Sequence, residues 1–454
     1  MKITVVGGGG VRSMFLAKSI AQKAKELMID ELCFMDNNEE KLRIYGSMAK
    51  KVANTLCGEM KFSLTSDAVE AVKGADYVIT TIRVGEDSMR AKDERIALSL
   101  GVLGQETTGA AGFSFAMRSI PALIYYCELI KKYSKPSVKV FNFTNPAGVV
   151  SQTLRDLGYD FTFGICDAPS GMLRSFAAIY GVEAERVHGE VYGLNHLSYF
   201  KEITVDGKDI TAELIENDEA YKTTDMRYFE KDLLRDRGCI LNEYLYYFYY
   251  REKAVSNILA AKETRGEQIE RINKAMTAEL SKLDPETDFD SCLKVFEKWY
   301  GMRESSYMAS ESGFSKASEW KFDMFAADEG GYAGVALSYI KLALKKQKGT
   351  MIMCVPNNGA IEGMEDEDVV EITCDVEGSS CVPHKMGKID EQNLLLIKAV
   401  KNYEKLASKA IRERSISAAV QALTFHPLVN SYSLAKELVE KYIEHNKEYC
   451  DGWK

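Results

Sequence analysis

The feature that most constrains this chain is a run of four glycines, Gly7, Gly8, Gly9 and Gly10, set directly after the apolar stretch 3–6. Behind it, Leu16, Ile20, Ala24 and Leu27 recur at helical spacing. Strand, glycine turn and helix in that order open a βαβ unit, where glycines allow a tight turn and close backbone approach to a ligand. The helix start adds N–H groups and a positive dipole suited to pyrophosphate. The fingerprint G-x-G-x-x-G is incomplete: counting through Gly8, Gly9, Gly10, Val11 and Arg12, a serine, Ser13, stands where the third glycine belongs. Taken alone, the loop reads equally as a plain strand-to-helix turn. Asp36, closing a second apolar run at 32–35, favours a dinucleotide, because an acid there accepts hydrogen bonds from ribose hydroxyls. It also favours NAD over NADP.

Further apolar runs at 77–82, 138–143 and 161–165 read as strands with polar residues at their C-terminal ends. The pattern predicts an α/β fold, a Rossmann-type doubly wound parallel sheet. In such sheets ligands bind beyond the carboxyl ends of the strands, so Asp36, Arg83, Asn145, Cys166 and Asp167 are expected to meet in one crevice. From 193 onward the alternation stops, and long charged-apolar helical stretches such as 263–283 and 392–411 dominate. The expected division is an NAD-binding Rossmann-type domain over 1–192 and a mixed α+β domain for substrate binding and oligomerisation over 193–454. No repeat or proline-rich linker separates them.

Composition narrows the partners. A length of 454 residues can bury a large core, and a formal net charge of -9 argues against a general binder of nucleic-acid backbones. No apolar run reaches the ~18 residues of a membrane span. The first seven residues are too short and strand-like for a signal peptide, so the cytoplasm is expected. Ten cysteines without a C-x-x-C pair fit reduced thiols.

Three segments carry more polar groups than packing requires: 82–90, 104–109 and 143–146. Cys166 and Asp167 follow a strand, and His196 lies thirty residues on. A thiolate and an imidazole suit a divalent transition ion, but two ligands cannot complete a structural zinc site. On spacing alone, a buried cysteine and an unrelated histidine is the simpler reading. The aromatic run 244–250 reads as core or subunit interface, and His188, His384, His426 and His445 as structural.

Lined up in order, the glycine loop, the segments 82–94 and 104–109, Thr144-Asn145-Pro146, 164–169, 193–196, 242–245, Thr264-Arg265 and 425–428 resemble glycoside hydrolase family 4, the NAD- and metal-dependent glycosidases. The resemblance implies that Gly8, Gly9, Gly10, Val11, Arg12, Asp36 and Arg83 bind NAD. It implies that Cys166 and His196 hold a divalent ion, usually Mn2+, with substrate oxygens and water in the other positions. Asp167 resembles the residue that protonates the leaving group, and Tyr244 the base at sugar C2. Arg90, Asn145 and Arg265 resemble the pocket for a sugar 6-phosphate, with Glu106 on substrate hydroxyls. The implied chemistry is oxidation at C3, deprotonation at C2, elimination at C1, addition of water, and return of the hydride. The substrate is then a phosphorylated disaccharide or glucoside, and the assembly a homodimer or homotetramer.

Within the family, Asp after the metal-binding cysteine is typical of 6-phospho-α-glucosidases, which points to α-linked glucose 6-phosphate conjugates. Ala168 and Ser170 depart from the usual pattern. The alternatives are a 6-phospho-β-glucosidase, a family member acting on another anionic sugar, an NAD-dependent 2-hydroxyacid dehydrogenase sharing only the first domain, and a catalytically silent NAD-binding protein.

Overall fold

The computed structural model describes residues 1–313, 320–327 and 333–454. Its first part is the expected parallel sheet: β1 (Lys2–Val6), β2 (Glu31–Met35), β3 (Lys61–Thr65), β4 (Tyr77–Thr80), β5 (Lys139–Asn142) and β6 (Thr162–Gly164). They lie in the order β3-β2-β1-β4-β5-β6, all parallel, with register pairs such as Val6↔Met35 and Val6↔Thr80. The order reverses between β1 and β4, the switch point where such folds take a ligand. Strands β4, β5 and β6 are shorter than the apolar runs 77–82, 138–143 and 161–165, because the chain leaves the ladder once its neighbour ends. The first helix, Ser13–Lys23, also stops early: Ala24 and Leu27 stay buried in a turn that sends the chain back to β2, with Ile29 N–H bonded to the Ala24 carbonyl at 2.8 Å.

After β6 the chain forms a hairpin, β7 (Val187–Leu194) and β8 (Leu197–Val205), edged by β9 (Lys208–Asp209) and β10 (Ile240–Leu241) in a second sheet. Helices Arg265–Leu280 and Glu391–Glu413 supply the helical character read from 263–283 and 392–411, and a further helix, Phe289–Ser305, lies between them. Three late strands were not read from the sequence: β11 (Lys348–Pro356), β12 (Val369–Glu377) and β13 (Ser380–Pro383). They extend the first sheet to nine strands, β11 running antiparallel to β6 through the pair Cys354↔Gly164. A parallel sheet followed by mixed α and β structure is thus observed, with the last part of the chain completing the sheet begun by the first.

The two parts are clamped near the glycine loop. Phe15, on the first helix, packs its ring against Phe296, Tyr300, Trp320 and Phe322, at centroid distances of 5.0–6.1 Å. Such aromatic pairs are worth about 0.5–1.5 kcal/mol each beyond area burial. They fix helix Phe289–Ser305, and the arginine near its end, beside the loop.

Candidate active site

The glycine loop turns where only glycine fits. Gly7 has φ +103°, and a Cβ there would stand 2.7 Å from Thr81 Oγ1 at the end of β4. Gly7 and Gly8 donate backbone N–H bonds to the Met35 carbonyl at 2.9 and 2.8 Å. Ser13, at the position of the missing third glycine, closes the turn by donating its hydroxyl to the Gly8 carbonyl at 2.7 Å. Gly8 itself faces Phe34, whose Cβ lies 2.6 Å from where a Gly8 Cβ would be. It therefore serves β2 packing, whereas Gly9, Gly10, Val11, Arg12, Asp36 and Arg83 line a cleft of about 1300 Å3 over the switch point. Asp36 accepts from Gly9 N–H at 2.9 Å and from Asn38 N–H at 3.0 Å. Burial pushes its carboxyl up, against those two bonds.

Arg12 was read as a cofactor contact, and its guanidinium also reaches across the cleft. Burial opposes its charge, but Tyr300, Glu304 and Asp167 hold the guanidinium protonated. Asp167 stands at the N-cap position of helix Ala168–Tyr180 without a side-chain capping bond, and its effect on Arg12 brings the nucleotide loop and the cysteine turn within electrostatic reach of each other.

The second cluster gathers around His196. This residue sits between β7 and β8 with φ +62°, a left-handed conformation unusual for histidine, and its ring is buried. Tyr244 lies flat on it, centroids 3.7 Å apart and planes 3° from parallel. Burial lowers the imidazole to about 4, so it is neutral near pH 7. Thr107 Oγ1 lies 2.9 Å from His196 Nδ1 and 3.1 Å from Gln105 Oε1. With its hydroxyl donating to Gln105, Nδ1–H donates to Thr107 and Nε2 keeps the lone pair that a metal ligand requires. Cys166 is half-buried; burial pushes its thiol well up, with Glu371 and Asp167 adding to the effect. Cys166 and Tyr244 feel one another electrostatically, as do Glu106 and His196. Among the described residues no three His, Cys, Asp or Glu side chains gather as a metal cluster, and a Cys–His pair leaves coordination positions open to substrate and water. The donor chemistry fits a divalent transition ion.

The polar segments read from the sequence converge here as an ion-pair network. Glu106 is gripped by Arg83 at 2.9 Å and Arg90 at 2.8 Å. Burial alone would raise its carboxyl, but the two arginines hold it down at about 2. Arg90 also pairs with buried Glu94 at 2.9 Å, so its charge is already met within the protein. Arg265 donates to Gln268 Oε1 and Ser306 Oγ at 2.6 Å and to the Arg303 carbonyl at 2.9 Å. Asn145 lines the cleft, accepting from Ala147 N–H at 3.3 Å.

The aromatic run divides: Tyr246 and Tyr247 enter the core, while Tyr244 turns to the site. Of the other histidines, His188 is exposed, His384 pairs with Glu190 and Asp375, His445 pairs with Asp93, and buried His426 accepts from Leu428 N–H.

Comparison with known proteins decides the family. The sequence profile of the Family 4 glycosyl hydrolase matches residues 2–182, and that of the Family 4 glycosyl hydrolase C-terminal domain matches residues 191–429. The chain belongs to glycosyl hydrolase family 4. This hydrolase is 32% identical to the 6-phospho-beta-glucosidase BglT of Thermotoga maritima, over 99% of each chain. It is 29% identical to the maltose-6'-phosphate glucosidase MalH of Clostridium acetobutylicum, over 98% of each. A structure of the Thermotoga maritima 6-phospho-beta glucosidase with manganese, NAD+ and glucose-6-phosphate superposes with a TM-score of 0.83 at 30% identity, covering 99% of this chain and 100% of that one. The match runs through both parts, which sets aside a 2-hydroxyacid dehydrogenase sharing only the first domain.

Three side chains around the proposed site escaped the sequence reading. Arg303 lines the cleft, its guanidinium lowered to about 10 by burial and by Arg12. Tyr307 donates to Glu243 Oε1 at 3.1 Å and lies 3.4 Å from the Tyr244 hydroxyl. Glu371 stands behind the His196 turn. Only Glu371 left a signal: it is a lone acid inside the apolar run 369–374.

Proposed function

We propose that this family 4 hydrolase cleaves glucosides of glucose 6-phosphate, α-linked by preference, without net consumption of NAD. The observation that carries the reading is the coplanar stack of Tyr244 on His196, with Cys166 in electrostatic reach of Tyr244 and Asp167 in electrostatic reach of Arg12 in the glycine-loop cleft. NAD, when bound, supplies reversible hydride removal at C3, and a divalent ion such as Mn2+ supplies Lewis acidity at the neighbouring sugar oxygens.

The chain's own groups do the rest. Gly9, Gly10, Val11, Arg12 and Asp36 hold and orient the dinucleotide, and Cys166 and His196 hold the ion. The Tyr244 phenolic oxygen takes the C2 proton. Burial and Glu243 push that phenol well up, so losing its own proton requires positive charge nearby, where the Cys166–His196 pair would hold a cation. A carboxyl oxygen of Asp167 delivers the proton to the departing alcohol. Arg265 and Asn145 bind the 6-phosphate, with Arg303 adding charge and Arg90 acting mainly through Glu106. In solution the assembly is a homodimer or homotetramer.

The α preference rests on Asp167, by resemblance. The β reading is favoured by the 32% identity to BglT. The test offers p-nitrophenyl α- and β-glucoside 6-phosphates and their unphosphorylated counterparts, with NAD, Mn2+ and reductant. Release from the α-linked phosphate without NADH accumulation is expected. Release from the β-linked phosphate alone moves the assignment to the β class, and no release from any of the four sinks the phosphoglucosidase reading.

A further inference from the structure

Glu371 lies on β12, far in sequence from either proposed metal ligand, yet it bonds the turn that carries His196 and is in electrostatic reach of Cys166. In the antiparallel register it pairs with Cys354 of β11, and Cys354 pairs with Gly164 of β6, two residues before Cys166. Its side chain points the other way, into the β7–β8 turn. Oε1 accepts from Asn195 Nδ2 at 3.0 Å and Oε2 from Ser198 Oγ at 2.8 Å, so its two oxygens grip that turn on either side of His196. The residue is 2% exposed. The turn needs such an anchor, because a histidine at φ +62° is held in a conformation it rarely adopts. The same strand also stitches the hairpin further along: Thr373 donates to the Gly189 carbonyl at 2.7 Å and accepts from Val191 N–H at 2.9 Å. A buried carboxyl is costly for stability alone: burial pushes it up to about 7 against its two neutral donors, whereas apolar packing would fill the place without that penalty.

We propose that Glu371 is a positioning residue for the metal pair: it fixes the His196 turn relative to the strand that delivers Cys166, so that imidazole and thiolate meet one ion. The inference rests on the assignment of Cys166 and His196 as metal ligands. Among the described residues Glu371 does not gather with Cys166 and His196 into a three-ligand cluster, so it acts through the His196 turn rather than as a ligand itself.

The test follows the Mn2+ electron paramagnetic resonance signal as the ion is titrated into the full-length protein with glucose 6-phosphate present, so the readout does not depend on turnover. Glu371→Ala is expected to weaken Mn2+ binding about 10- to 100-fold, the usual cost of losing an outer-shell partner. NAD binding, followed by fluorescence, should stay unchanged, which general unfolding of the site would not allow. Glu371→Gln should recover most of the Mn2+ affinity, because its amide can accept from Asn195 and donate to the Ser198 hydroxyl. Equal weakening by Gln and Ala would point to charge or direct ligation and overturn the positioning role. Should Glu371→Ala not fold, Ser198→Ala removes one of the two anchors, and unchanged Mn2+ affinity there overturns the inference. Wild-type binding with an unaffected Glu371→Ala overturns it alone, whereas failure of the wild type to bind Mn2+ removes the metal pair and the inference together.

Discussion

The glycine-loop cleft and the proposed catalytic pocket are built by opposite means. The cleft's glycine turn and acid lie within the first 36 residues, held by the register of β1 and β2 and by one backbone fit against Thr81. The proposed pocket draws Cys166, His196, Tyr244, Arg265 and Glu371 from five separate stretches, brought together by the late strands and by buried polar contacts, and Arg303, which lines the cleft, meets Arg265 through its carbonyl. A site of the first kind is fixed by local chain geometry. One of the second kind depends on tertiary structure, and it can be damaged from a distance.

If the two regions are separable, variants in one should spare the other. Tyr244→Phe is the strongest case: removing the proposed general base should lower kcat by a factor of about 100 to 10,000 while the NAD dissociation constant stays put. Unchanged turnover would return Tyr244 to the core-type aromatics beside it. Arg265→Ala should raise KM for a phosphorylated glucoside about tenfold or more, the cost of a charge-assisted contact, with little change for an unphosphorylated one. A uniform loss on both substrates would mean that Arg265 acts through the Arg303 carbonyl as scaffold. Gly9→Val works from the other side: its Cβ would stand 2.9 Å from Asp36 Oδ2 and 3.1 Å from the Leu42 nitrogen. NAD affinity should fall about tenfold while Mn2+ affinity holds, and a parallel loss of both would show the regions to be coupled.

The smallest expected effect lies outside both regions. His384 pairs with Glu190 at 2.9 Å and Asp375 at 3.2 Å, tying β7 to β12. Burial lowers its basicity, but the two carboxylates outweigh burial and raise it. A raised folded-state value means that the tie contributes fully below the unfolded histidine value of about 6.5 and fades as pH climbs through the folded one. Because the pair is partly exposed, the contribution is about a few tenths of a kcal/mol. The melting temperature gap between wild type and His384→Gln should therefore be small, greatest in mild acid and absent in alkali. Activity at fixed pH should not change.

What could be read from the sequence follows the same divide. The strands at 2–6, 31–35, 77–80, 139–142 and 162–164 were legible because both faces are covered and their residues are near-continuously apolar. Strand β3 was missed: only Phe62 of its five residues is buried, as befits an edge. The late strands were missed although 351–355 and 369–374 are apolar runs, and their place in the first sheet was illegible because the pairing of β11 with β6 is a tertiary contact with no local mark. In the pocket, Cys166, Asp167, His196 and Tyr244 were reached through the resemblance, not through spacing, since spacing alone had favoured an unrelated cysteine and histidine. Arg303 and Tyr307 carry no local mark; their place depends on where helix Phe289–Ser305 docks against Phe15.

The late strands bear on how such a chain can change over generations. A cut between 192 and 193 would fall inside β7 and strip β6 of its neighbour β11, leaving an open hydrogen-bonding edge on the front portion. A nucleotide-binding unit that borrows its sheet border from its own tail is poorly suited to being lent to other enzymes as a module. Duplication, fusion or circular rearrangement must carry both ends together, so novelty in this architecture is expected to come through substitution around the pocket rather than through exchange of parts.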